Sequence, residues 1–140
     1  MGKILCATRG GEGSHLTQDA AIAMAKEKEN ELIFLFVVDS SFLNNMAAPM
    51  VVDMDVRLED LGQFELARAK ERALSQGINA QAVVRHGKLR SELIATAQDM
   101  EVTVIVLGRP IGKTAVFQED TLRVFADEIE EETGIEVVCL

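Results

Sequence analysis

Leu32-Ile33-Phe34-Leu35-Phe36-Val37-Val38 runs without a polar residue and mixes β-branched with aromatic side chains. A strand half exposed to water would alternate apolar with polar residues. A continuous run fits a strand covered on both faces, as in a parallel sheet flanked by helices. The run is far too short to cross a bilayer. Upstream of it, Lys3 to Thr8 reads as an earlier strand. Arg9-Gly10-Gly11-Glu12-Gly13-Ser14 follows as a glycine-rich loop, with Ser14 placed to cap a helix. Leu16, Ala20, Ala23 and Met24 recur at helical spacing and carry that helix to about Lys28.

Downstream, residues 39–53 contain Pro49 and two asparagines and read as a long loop over the sheet edge. Leu58, Gly62, Leu66, Ala69 and Ala73 mark one face of a second helix that ends near Gly77. Residues 78–84 read as a third strand, less apolar and so at an edge. Arg85-His86-Gly87-Lys88 is a polar turn, and Ser91 is placed to cap a short helix with Leu93, Ile94 and Ala97 inward. Residues 102–107 form the clearest strand, dense in Val and Ile. Gly108-Arg109-Pro110-Ile111-Gly112-Lys113-Thr114 is a second glycine-bearing loop. Asp120 is placed to cap a last helix carrying Leu122, Phe125 and Ile129, with Gly134 as its stop. Ile135 to Leu140 closes the chain as a strand.

Strands alternate with helices, which implies right-handed βαβ units and a parallel sheet. Ligands of such sheets bind beyond the carboxyl ends of the strands, where the strand order reverses. The two glycine-bearing loops, after the first and fourth strands, are the candidates for flanking that reversal. The pattern alone leaves the order open.

The chain has 140 residues, the size of one domain covering 1–140. Its 14 basic and 23 acidic residues give a net charge of -9. A phosphate backbone or an anionic membrane would be repelled over most of such a surface, so neither nucleic acid nor membrane is an expected partner. One small phosphate in a local basic pocket stays open. The first residues lack the apolar stretch of a leader, and Cys6 stands where myristoylation wants Ser or Thr. Cys6 and Cys139 both lie in apolar strand-like runs and read as buried free thiols of a cytoplasmic protein. The acidic stretch 127–132 reads as a solvated helix face.

Several catalytic patterns fall short. Gly112-Lys113-Thr114 resembles the end of a P-loop, but the spacing from Gly108 is one residue short and Leu107 occupies the required glycine position. Gly11-Glu12-Gly13 with Leu16 does not complete a dinucleotide fingerprint. His15 and His86 lie in different regions with no cysteine or carboxylate cluster at ligand spacing, so no metal site is expected. No Ser-His-Asp or Cys-His set can be assembled, and nothing argues for an enzyme.

Lys3-Ile4-Leu5-Cys6-Ala7-Thr8, the Gly-Glu-Gly-Ser stretch, the Ala-rich helix, residues 32–39, Val84-Arg85-His86-Gly87 and Val102-Thr103-Val104-Ile105-Val106-Leu107-Gly108 together resemble the universal stress protein family. The resemblance implies a Rossmann-like five-stranded parallel sheet of order 3-2-1-4-5, with strands one and four flanking the reversal. It also implies a homodimer through Ile135 to Leu140, and it puts strand four between the two cysteines. The nucleotide-binding branch of that family carries an Asp after strand one. It also carries a motif of glycine, two residues, glycine, nine residues, glycine and Ser or Thr. Here Arg9 stands for the Asp, Ile111 for the second glycine with Gly112 one place late, and Asp120-Thr121 for the final pair.

The site expected from the resemblance therefore comprises Thr8, Arg9, Val38, Gly108, Arg109, Gly112, Lys113 and Thr121. Three readings follow for it. A regulatory stress-response protein with a degenerate pocket would act by binding a protein partner, with residues 44–54 as one candidate surface. An adenine-nucleotide sensor would use Thr8, Gly108, Gly112 and Thr121. A small-anion binder would centre on Arg9, Arg109 and Lys113.

Overall fold

The apolar run 32–38 lies second from one edge of the sheet and is covered on both faces, as its composition requires. The computed structural model describes residues 2–8, 12–38, 48–108 and 119–139. The strands are β1 (Lys3–Ala7), β2 (Glu31–Val38), β3 (Gln81–His86), β4 (Val104–Leu107) and β5 (Glu136–Cys139). The helices are α1 (Glu12–Lys28), α2 (Ala48–Ser75), α3 (Leu89–Asp99) and α4 (Glu119–Thr133). The strands form one sheet in the order β3-β2-β1-β4-β5, and every pairing is parallel.

Register sorts the side chains onto two faces. Ile4 pairs with Leu32 and Val104, and Cys6 with Phe34 and Val106. These even-numbered positions pack with Ala21, Ile22 and Ala25 of α1 and with Leu66, Ala69 and Ala73 of α2. Leu5 pairs with Ile33 and Ile105, and this odd row packs with Leu93 and Ala97 of α3 and Ala126 and Ile129 of α4. Burying one such Leu or Ile side chain contributes about 1.5–3 kcal/mol. Helix α2 approaches the sheet closely at Gly62, where a β-carbon would lie 2.5 Å from Phe36 Cδ1.

The structure moves several expected boundaries. Residues 48–53 belong to α2 and not to a loop. Pro49 is no obstacle, because a first-turn residue has no intrahelical acceptor for its N–H. Residues 44–47 of the suggested partner surface lie outside the described residues. Ser14 and Ser91 lie inside α1 and α3, and Lys88 holds the N-cap position of α3 without a side-chain cap bond. Asp120 follows the first residue of α4, so it sits in the first turn rather than before it. The third strand is displaced to Gln81–His86, in register with residues 33–38 of β2. Ile78 instead packs ahead of it as a partly buried residue. Val102 still belongs to the turn after α3, its N–H donating to the Ala97 carbonyl at 3.0 Å. Gly134 ends α4 with a φ of 71°, the left-handed conformation glycine adopts readily.

Neither cysteine is in a disulfide among the described residues, and Cys6 is buried whereas Cys139 is only partly so. The difference follows from the order of strands, because β1 is central and β5 is an edge. Burial pushes the Cys6 thiol up to about 12, which keeps it protonated and unreactive. Among the described residues no helix is long and apolar enough to cross a membrane.

Candidate functional site

The order of strands reverses between β1 and β4. Their last register pair on the α1 side is Cys6 with Val106. Thr8 and Gly108 each follow two residues later, so they stand side by side at the carboxyl ends of the two central strands. The Thr8 N–H donates to the Leu35 carbonyl at 2.8 Å, which holds the end of β1 against β2. Val38, 2% exposed, closes β2. Its carbonyl accepts from the Gly87 N–H at 3.0 Å.

Gly108 is a glycine for a steric reason. A β-carbon there would lie 2.6 Å from Thr17 Oγ1, so the exit of β4 touches the first half of α1. The stripe of α1 that faces the sheet therefore begins with Thr17 and Gln18, both buried, and continues through Ala21, Ile22 and Ala25. This corrects the sequence reading, which put Leu16 on that stripe. Leu16 is 68% exposed, and the true stripe is rotated by one residue.

Gln18 is satisfied where it lies. Its Nε2 donates to Thr8 Oγ1 at 2.6 Å, and its Oε1 accepts from Arg72 Nη1 at 2.9 Å. Arg72 of α2 also donates through Nη2 to the His15 carbonyl at 3.1 Å and to Asp19. A guanidinium has no acceptor, so the Gln18 atom facing Arg72 must be its oxygen. That fixes the amide, and the chain from Arg72 through Gln18 runs donor to acceptor into the Thr8 hydroxyl. Three elements are thereby joined at the end of β1. The signal in the sequence was available: Gln18 stands three and four residues before Ala21 and Ile22, on the helical face they define.

Of the expected site residues, the structure brings together Thr8 and Gly108, with Val38 at the neighbouring strand end. Thr121 lies in the first turn of α4, its side chain outside the described set. Arg9, Arg109, Gly112 and Lys113 also lie outside the described residues. Among the described residues no group of His, Cys, Asp and Glu is arranged to hold a metal ion. His86 is exposed and lies 3.7 Å from Glu59 Oε1.

A groove of about 470 Å³ between α3 and α4 is lined by Arg90, Ser91, Gln98 and Glu132. Among its described lining residues the cation Arg90 is already engaged, meeting Glu128 at 3.1 Å and Glu132 at 3.2 Å. The strand ends remain the better site, since topology and close packing converge there.

Comparison with known proteins agrees with this geometry. Universal stress protein YxiE of Bacillus subtilis (strain 168) is 28% identical over 116 residues, which cover 76% of this chain and 77% of that protein. The structure of the universal stress protein UspA from Lactobacillus plantarum superposes with a TM-score of 0.82 at 14% identity, covering 99% of this chain and 97% of that one. A universal stress protein from Archaeoglobus fulgidus, solved in complex with dAMP, gives a TM-score of 0.66 at 11% identity, covering 99% and 96%. The model of the universal stress protein family matches residues 1–114. With that match over most of its length, and with the sheet order the resemblance implied, the chain belongs to the universal stress protein family.

Proposed function

We propose that this chain is a regulatory, non-enzymatic protein of the cytoplasm whose strand-end cleft takes an adenine mononucleotide in preference to ATP. The observation that carries the reading is the juxtaposition of Thr8 and Gly108 at the reversal of strand order, where α/β sheets place their ligands. The dAMP held by the Archaeoglobus fulgidus protein of the same fold supports an adenylate as the occupant.

Charge argues for one phosphate over three. A helix N-terminus attracts anions through its free N–H groups, but the first turn of α4 carries Asp120 and Glu119. Two negative charges in that turn disfavour a triphosphate by like-charge repulsion. Arg9, Arg109 and Lys113 supply cation enough for a single phosphate, and Gly112, Val38 and Thr121 complete the proposed set. The same cations would hold a free small anion if no base were recognised. The protein works as a homodimer in this reading. Strand β5 is at the sheet edge, and pairing with a second copy would cover that edge. Sedimentation equilibrium checks this part, and a monomer at micromolar concentration contradicts it.

The ligand is tested by thermal denaturation with AMP, ATP and inorganic phosphate. Stabilisation that rises with AMP concentration and exceeds that by ATP is expected. An equal response to phosphate alone would favour the anion reading. No response to any of them at millimolar concentration would leave regulation to contact with a protein partner.

A further inference from the structure

Helix α2 carries a carboxylate that the fold leaves unsatisfied. Glu65 is 9% exposed, and among the described residues its Oε2 has no hydrogen-bond partner. Buried polar atoms are almost always paired, and an orphaned carboxylate oxygen is among the costliest exceptions. A helix selected only for packing would carry an apolar residue here, as it does at Leu66, Ala69 and Ala73.

The place of Glu65 is fixed by its helix. Gly62, three residues earlier, packs on Phe36. Phe36 follows Leu35, the residue whose carbonyl holds the Thr8 N–H. This segment of α2 is therefore level with the end of β1. Arg72 lies seven residues after Glu65, two turns along the same stripe and about 10 Å away by helical rise. Arg72 reaches α1 at His15, Gln18 and Asp19, so that stripe faces α1. Glu65 thus sits in the seam between α1 and α2, at the height of the strand-end site.

Among the described residues, the α2 cations Arg68 and Arg72 are engaged elsewhere. Arg72 is taken up by its three α1 contacts. Arg68 lies over the Phe64 ring, 5.7 Å from its centroid.

We propose that Glu65 is a binding residue of the strand-end site, its carboxylate accepting a hydrogen bond from an N–H or O–H of the nucleoside part of the ligand. This rests on the nucleotide reading above and deepens it. The Arg9 side chain can only donate and offers a nucleoside donor no acceptor. Glu65 supplies one from α2. The arrangement also explains why an unfavourable burial is retained, since the unliganded protein carries a cost that the ligand relieves.

Two measurements test the assignment on the intact chain: melting temperature without ligand, and AMP affinity by calorimetry. Glu65→Met keeps length and removes the acceptor, whereas Glu65→Gln keeps one acceptor oxygen. Without nucleotide, Glu65→Met should melt at the same temperature as wild type or higher. With AMP, it should lose at least about tenfold in affinity, with Glu65→Gln between the two. Ligand-free melting several degrees below wild type would make Glu65 a structural residue and overturn the proposal. Equal AMP affinity in wild type and Glu65→Met would overturn it alone. No AMP binding by the wild type would overturn the nucleotide reading and this one together.

Discussion

Gln18 shows how one residue ties the site to the scaffold. It is 1% exposed and bridges Thr8 Oγ1 and Arg72 Nη1. Replacing Gln18 with leucine would leave the buried Thr8 hydroxyl and the partly buried Arg72 Nη1 without that bond. We expect a loss of about 1–3 kcal/mol in urea unfolding. Adding Thr8→Val should recover part of that loss, because two apolar groups tolerate burial that one orphaned hydroxyl does not. A double variant no more stable than Gln18→Leu would show that the hydroxyl has no share in the effect. At this scale the sequence was only partly legible. A helical wheel weighted by hydropathy favours Leu16 over Gln18. The fold inverts them because Thr8 and Arg72 offer Gln18 partners from distant parts of the chain.

At the scale of elements, legibility follows burial. Strands β1, β2 and β4 are apolar on both faces and were readable as runs. Strand β3 was misplaced because its residues Gln81 and Ala82 are exposed and its hydropathy contrast is weak. The start of α2 was missed because Pro49 and the two asparagines before it carry turn chemistry, although proline suits a first helical turn. The inward face of α2 was readable, and Gly62 within it has a specific cause. Gly62→Ala would drive a methyl group into the Phe36 ring, 2.5 Å away. Overpacking of this kind costs about 1–3 kcal/mol. Pairing it with Phe36→Leu should restore part of the stability, measured as a coupling energy in a double-variant cycle. Strict additivity of the two losses would mean that α2 does not rest on that ring.

For the whole molecule, the alternation of strands and helices established a parallel sheet but could not order it. Parallel neighbours are joined by long crossovers, so sequence adjacency does not dictate spatial adjacency. The family resemblance supplied the order β3-β2-β1-β4-β5, and the structure has it. That order sets the carboxyl ends of β1 and β4 side by side. It also explains why Thr17 and Gln18 were not read as neighbours of those strand ends. They come from the helices beside the strands, whereas the sequence motifs mark only the loops after them. In the proposed function an adenine mononucleotide occupies the ends of β1 and β4. A crystal structure grown with millimolar AMP tests it most directly. We expect the nucleotide across the ends of these strands, with phosphate near Gly108 and a nucleoside donor on Glu65. An empty cleft at saturating AMP, or a nucleotide bound only in the groove between α3 and α4, would contradict it.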